Sequence, residues 1–264
     1  MSSIMQLLLS AVPQSNTVGI FYADSYSANL WAAVPLTTYQ SATTGGAFID
    51  VAPQIRTASG QTPGTAKIYN TGTATITATN TAPFGWYGNS MALPTSYTSG
   101  TDLTYTSNNL GSNQILTWEA WVYCSVVNVN RTLIATNNFG GGYYPAWVFY
   151  IGATGYPTYF SNPSGAFASN TQVSVGWNHI AMCCDGTSTL KMFQNGTMTY
   201  NGGYGPNGGQ STATIGNSYW DGFGGLTSGI KMCDNRIYTG VQKYTGSFTV
   251  STTDPDFGGA IIAA

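Results

Sequence analysis

The chain has 264 residues and a formal net charge of −2, and only 6% of its residues are Asp, Glu, Lys or Arg, against about 25% in an ordinary soluble domain. Its seven basic residues form no cluster, which argues against the counterion-releasing contacts that nucleic-acid binding requires. No apolar run approaches the length of a membrane span, and 14% aromatic residues with so little charge is the reverse of a disordered composition.

In chain order, "MSSIMQLLLSAVPQS" carries an apolar patch at Ile4 to Leu9 without a basic n-region. Residues 1–27 therefore read as an ordered or docking arm, with a processed leader as the alternative. Helix signals are scarce beyond this point. Thr, Val, Ile, Tyr and Trp recur in short runs broken by Gly, Asn and Pro, which predicts strands throughout, from "LWAAVPLT" (Leu30 to Thr37) to "TGSFTV" (Thr245 to Val250). "TASGQTPGT" (Thr57 to Thr65) reads as loop. "AKIYNTGTATITATN" (Ala66 to Asn80) alternates on both sides of Asn70-Thr71-Gly72, a hairpin signature.

The next long strand is "ILTWEAWVYCSVV", Ile115 to Val127. Leu116, Trp118, Ala120, Val122 and Cys124 share one face, and Thr117, Glu119, Trp121 and Tyr123 the other. Both faces are largely apolar or aromatic, so the strand is expected to be covered on both sides. From Trp177, residues Asn178, Ile180, Met182 and Cys184 alternate with Trp177, His179, Ala181 and Cys183. Asp185-Gly186 marks a turn, and Asn195-Gly196 is a strong two-residue hairpin signal, so a three-strand meander is predicted. Residues 251–264 form a tail.

The residues able to carry chemistry are few. His179, the one histidine, lies inside a predicted strand with no acidic neighbour on its own face and no nucleophile in register, which makes a structural, hydrogen-bonded role the expectation. The cysteines (Cys124, Cys183, Cys184, Cys233) include no Cys-x-x-Cys pair, and one histidine does not complete a usual zinc set. Adjacent Cys183 and Cys184 face opposite ways, so free thiols acting as small packed hydrophobes are expected, mildly favouring assembly in a reducing cytoplasm. The eight Asp are scattered and form no recognisable calcium cage, although oxygen donors abundant enough for structural calcium are present.

Four blocks in order carry a resemblance: "TWEAWVY", "GWNHIAMCCDGTSTLKMFQNGT", "ATIGNSYWDGFGG" and "NRIYTGVQKYTGSFTV". They resemble the laminin-G-like branch of the concanavalin A-like lectin/glucanase superfamily. The resemblance rests on Glu119 to Val122, Trp177 to Gly186, Leu190 to Gly196, Ile215-Gly216 and Arg236-Ile237. The closing "GVQKYTGSFT" (Gly240 to Thr249), with "ANLWAAVPLT" and "DVAPQIR" (Asp50 to Arg56), is similar to the version found in bacteriophage virion proteins. The resemblance implies an all-β fold, a two-sheet antiparallel jelly-roll sandwich over residues 28–250. Where the family has an acidic strand after its Ile-Gly turn, this chain has "DGFGGLTSGIKMCDN", which predicts an extra or irregular turn there.

Glucanases of this superfamily carry Glu-x-Asp-x-(x)-Glu on one strand, and glycoside hydrolysis needs two carboxylates roughly 5–10 Å apart. This chain has a single glutamate, Glu119, with Thr117 and Trp121 two residues to either side. No catalytic residue is therefore expected. A carbohydrate-binding surface needs less, and the aromatic loops supply Tyr143, Tyr144, Tyr219, Trp220 and Asp221 as candidate ligand contacts. The resemblance implies a non-enzymatic virion structural protein, a surface appendage or head decoration. Its partners would be other virion proteins, further copies of itself in a homo-oligomer such as a trimer, and a host-surface glycan. A stand-alone lectin module is the alternative, and a polysaccharide hydrolase the third reading.

Overall fold

The computed structural model of the chain describes residues 25–34, 47–50, 52–58, 60, 68–70, 75–77, 83, 90–92, 103–106, 110, 114–128, 130–137, 145–162, 164–205, 212–215 and 230–251. The early elements are β1 (Leu30–Val34), β2 (Ala47–Ile49), α1 (Ala52–Ala58), β3 (Ile68–Asn70), β4 (Thr75–Thr77), β5 (Ser90–Ala92) and β6 (Leu103–Thr106). They are followed by β7 (Ile115–Cys124), β8 (Arg131–Asn137), β9 (Pro145–Ile151), β10 (Pro157–Ser161), β11 (Gly165–Ala168) and β12 (Gly176–Asp185). The last four are β13 (Thr189–Gln194), β14 (Thr197–Gly203), β15 (Thr212–Ile215) and β16 (Ile230–Thr239). They form two antiparallel sheets, as expected of a jelly-roll sandwich. One runs β14-β13-β12-β7-β16-β5-β4 with β1 also on β16, and the other runs β11-β10-β9-β8-β15-β6-β3-β2.

The alternation read along β7 and β12 holds. Leu116, Trp118, Ala120, Val122 and Cys124 meet Ile180, Met182 and Cys184 in the layer between the sheets, where they pack with Trp147, Phe149 and Tyr159 from the second sheet. Trp118 and Phe149 meet edge to face, with ring centroids 5.5 Å apart. Both buried indoles find acceptors: Trp118 Nε1 donates to Asn235 Oδ1 at 3.2 Å, and Trp147 Nε1 to the Leu110 carbonyl at 2.9 Å. These two indoles can fill the layer because their single polar atom is satisfied inside it. The four cysteines are free and buried, with Cys184 in the inner layer and Cys183 on the outer face. Burial pushes the Cys183 thiol up to about 11. No helix among the described residues is long and apolar enough to cross a membrane.

Three expectations are corrected. Strands do not run throughout, since Ala52–Ala58 is helical and Thr57 belongs to it rather than to a loop. Asp50 Oδ1 accepts from Ala52 N at 3.0 Å and from Ala33 N at 2.9 Å, so one buried carboxylate caps the helix and ties it to β1. Ala52 and Ile55 then cover Leu30, Ala33 and Tyr238. The Asp50 cap and early Pro53 were the local signals for this turn of helix. Second, Ile68–Asn70 and Thr75–Thr77 are not a hairpin: β3 pairs with β2 and β6 in one sheet, whereas β4 pairs with β5 in the other. Alternation identifies a strand but not its partner, and here the chain crosses between layers. Third, Thr245 to Val250 is not a strand; it lies across the outer face of the first sheet.

The predicted meander is present as β12-β13-β14. Asn195 (φ 50°) and Gly196 (φ 78°) form its two-residue turn. The first bend is held by Asp185 Oδ1, which accepts from the backbone N–H of Thr187, Ser188 and Thr189, each at 2.8 Å. Most of "DGFGGLTSGIKMCDN", where an extra or irregular turn was expected, lies outside the described residues; its end belongs to β16, which has a register shift between Cys233 and Arg236, with Asp234 at φ 51°. Gly196 has a second duty, because a Cβ there would run into the Phe248 carbonyl. Gly196→Ala is expected to cost more than about 1 kcal/mol, the strain of a side chain at positive φ alone, and to loosen the segment carrying Phe248. Denaturant unfolding and proteolysis near residue 248 would check this.

Candidate functional site

Residues Thr117, Glu119, Trp121 and Tyr123 stand on the face of the first sheet that points away from the second. Register places Trp177, His179 and Ala181 of β12 opposite Tyr123, Trp121 and Glu119, and on the other side Lys231, Arg236 and Tyr238 of β16 opposite Tyr123, Glu119 and Thr117. This face has a closed half and an open half.

The closed half is covered by residues 240–250. Gly240, at φ 76°, turns the chain out of β16. The Thr117 hydroxyl then clasps the turn, donating to the Val241 carbonyl at 2.9 Å and accepting from Lys243 N at 3.0 Å. Lys243 Nζ donates to Glu119 Oε1 at 2.7 Å and to the Tyr238 hydroxyl at 2.9 Å, lying 4.4 Å from the Tyr238 ring centroid. The Tyr244 hydroxyl donates to Glu119 Oε2 at 2.5 Å, and His179 Nε2 stands 3.5 Å from the same oxygen. Tyr244 and Phe248 stack at 3.6 Å and 5°, and both meet Phe193 edge to face.

The expectation that His179 has no acidic neighbour on its face is thus overturned. Glu119 lies diagonally across from it, two residues along β7 from its direct partner Trp121. Such a neighbour belongs to a strand more than fifty residues away, which local spacing does not reveal.

Burial alone would raise the Glu119 carboxyl, but the Lys243 ammonium, with His179 behind it, outweighs burial and holds it well below the usual carboxylate range. Burial would likewise lower Lys243, yet the charge of Glu119 raises it well above the ordinary lysine value. Burial and the Glu119 charge together push the Tyr244 hydroxyl up, so it stays a donor. The cluster is a buried counter-ion pair with its hydrogen bonds made.

The open half lies at the far end of the same strands. Tyr123 and Trp177 are both partly exposed and meet edge to face with centroids 5.5 Å apart, and Lys231 Nζ lies 5.3 Å from the Tyr123 centroid. The loop residues singled out from the sequence, Tyr143, Tyr144, Tyr219, Trp220 and Asp221, lie outside the described residues. Sequence reasoning missed Lys243 and Tyr244 as partners of Glu119, and Tyr123, Trp177 and Lys231 as one row. The "GVQKYTGSFT" ending was the one available signal for the first set. Among the described residues no three His, Cys, Asp or Glu side chains converge as a metal site would need.

Residues 95–243 match the family model described as the concanavalin A-like lectin/glucanases superfamily, of laminin G type. The chain belongs to that superfamily. No curated protein matches the sequence. Among solved structures, the ligand-binding domain of botulinum neurotoxin serotype D in complex with N-acetylneuraminic acid is similar, at a TM-score of 0.54 and 13% identity over 85% of this chain and 49% of that one. A Trypanosoma rangeli sialidase in complex with a difluoro-KDN compound is similar at 0.53 and 12% identity, over 80% of this chain and 30% of that one. The chain thus spans from about a third to half of these proteins, and at such identities the likeness shows the fold alone.

Glu119→Gln is expected to destabilise the fold by about 3 kcal/mol or more, because it leaves the Lys243 charge buried without its anion. The pH dependence has two signs. The lowered Glu119 contributes its full stabilisation above an unfolded pKa of about 4.3 and loses it as the pH falls through the folded value; the raised Lys243 contributes fully below about 10.4 and loses it as the pH rises through its own. Denaturant midpoints against pH are expected to show a plateau between these limits, and the acid limb is expected to flatten in Glu119→Gln.

Proposed function

We propose that the chain is a non-enzymatic virion structural protein, a bacteriophage surface appendage or head decoration, whose sandwich offers a surface for host glycans. The observation that carries the non-enzymatic reading is the state of Glu119. A glycosidase acid needs a raised pKa, and a second carboxylate facing it across a groove. Glu119 is 4% exposed, held ionised, and contacted among the described residues by Lys243, Tyr244 and His179 rather than by another carboxylate. Its charge is used to fasten the segment 240–250.

The virion reading is supported by the likeness of that same segment to the ending of bacteriophage virion domains. A 6% charged composition also supports packing against copies and neighbours with little electrostatic repulsion. Four free buried thiols accord with assembly in a reducing host cytoplasm. The glycan reading is supported by membership of a lectin-containing superfamily and by the partly exposed aromatic pair Tyr123 and Trp177. A stand-alone lectin is the second reading, favoured by the sugar-acid complex of the similar toxin domain.

Mass spectrometry and immuno-labelling of purified particles are expected to find the chain at a fixed copy number; its absence from particles would leave the lectin reading in place. Incubation with bacterial polysaccharides is expected to release no reducing ends. Release that disappears in Glu119→Gln would overturn the non-enzymatic assignment.

A further inference from the structure

We infer that the row Trp177, Tyr123 and Lys231 is a binding site for carboxylate-bearing sugars. This rests on the glycan-binding reading above and gives that reading a place and a ligand class. Trp177 stands opposite Tyr123 on one side, and Lys231 opposite it on the other. Three adjacent strands thus present two rings and an ammonium at one level, a row roughly 10 Å long at ordinary strand spacing, comparable to two pyranose rings. Pyranose C–H faces pack on aromatic rings, and strand-borne groups hold their positions better than loop-borne ones. Exposed Val175 (65%) and Val126 (49%), close in sequence to Trp177 and Tyr123, add apolar surface at this end.

The charge at this end selects the ligand class. Lys231 makes its contact with the Tyr123 ring, and no carboxylate among the described residues pairs with it. Behind the row, in the layer between the sheets, Arg131 is fully buried, with its guanidinium directed at the Cys124 thiol. Its charge reaches Cys124, the residue after Tyr123 and the direct cross-strand neighbour of Gly176; there it partly offsets the rise that burial imposes on the thiol. Among the described residues, then, two cations with no carboxylate against them flank one patch of sheet, in a chain whose net charge is −2. The field of a buried charge is weakly screened. A neutral sugar would use the rings alone, whereas a sugar carboxylate beside Lys231 also meets that unbalanced field. At the other end of the same face the corresponding cation, Lys243, is already neutralised by Glu119 and covered by the segment that carries it. The two halves of the face thus use the same chemistry, one with an internal carboxylate and one with room for an external one.

The test is an array of galacturonate, glucuronate and N-acetylneuraminate oligosaccharides beside their methyl esters and neutral counterparts. It is probed with the full chain and followed by titration calorimetry on whatever binds. At least one acid is expected to bind about tenfold or more tightly than its own ester, a difference of about 1.4 kcal/mol. Lys231→Met is expected to remove the preference for the acid, and Trp177→Ala to abolish binding of both forms. Unfolding midpoints establish that each variant is folded, and Lys231→Met alone decides the matter if Trp177→Ala is not. Equal affinity for acid and ester would overturn the ligand class. Binding that survives Trp177→Ala and Lys231→Met but is lost in Trp220→Ala would overturn the site and leave the glycan reading standing. Absence of binding to acids, esters and neutral sugars alike would overturn both.

Discussion

The Lys243–Glu119 pair fastens residues 240–250 to a sheet that this segment never joins as a strand. Few backbone hydrogen bonds hold it, among them Phe248 N to the Gly196 carbonyl at 2.8 Å and Gly240 N to the Ile115 carbonyl at 2.8 Å. Side chains do the rest. Strand β7 has an aromatic and polar outer face, and without this segment Glu119 and Cys183 would face water, as would Phe193 on β13. The closing segment completes a layer that β-pairing leaves open.

The division of labour within that contact follows from the energetics of buried charge. A buried ion pair gains little net free energy over apolar residues of similar volume, but removing one partner is costly. Apolar stabilisation comes instead from Tyr244 and Phe248 on Phe193, where ring contacts add to the burial of area. The pair contributes position: a single glutamate on this sheet face accepts from Lys243 and Tyr244 at once, so the segment has one register. The Thr117 hydroxyl, which donates and accepts within the same turn, enforces it. Gly196 supplies the close approach at the other end.

Membership of the concanavalin A-like superfamily defines a scaffold on which catalysis, recognition and assembly are all possible, so the site has to decide between them. In this chain the carboxylate that would be the natural candidate for acid–base work is locked into structure. The far end of the same strands keeps two rings and an ammonium partly exposed. One sheet face therefore has two halves: one is closed by the chain itself, and the other is left partly exposed.

The sequence by itself determined the periodic features. Alternation along β7 and β12 assigned each side chain to a face, Asn195-Gly196 placed a hairpin, and the adjacent thiols were assigned to opposite sides, because a two-residue period is a local property of extended backbone. Four ordered blocks were enough to point to the superfamily. The tertiary structure alone decided which strands are neighbours. Asn70-Thr71-Gly72 looked like a hairpin turn, yet β3 and β4 belong to different sheets. His179 looked remote from any acid, yet Glu119 is 3.5 Å away. Lys243 read as one letter of an ending. Pairing between distant strands depends on burying two layers together, a global balance that no local window of residues contains, and both the locked and the open half of the site are made by that pairing.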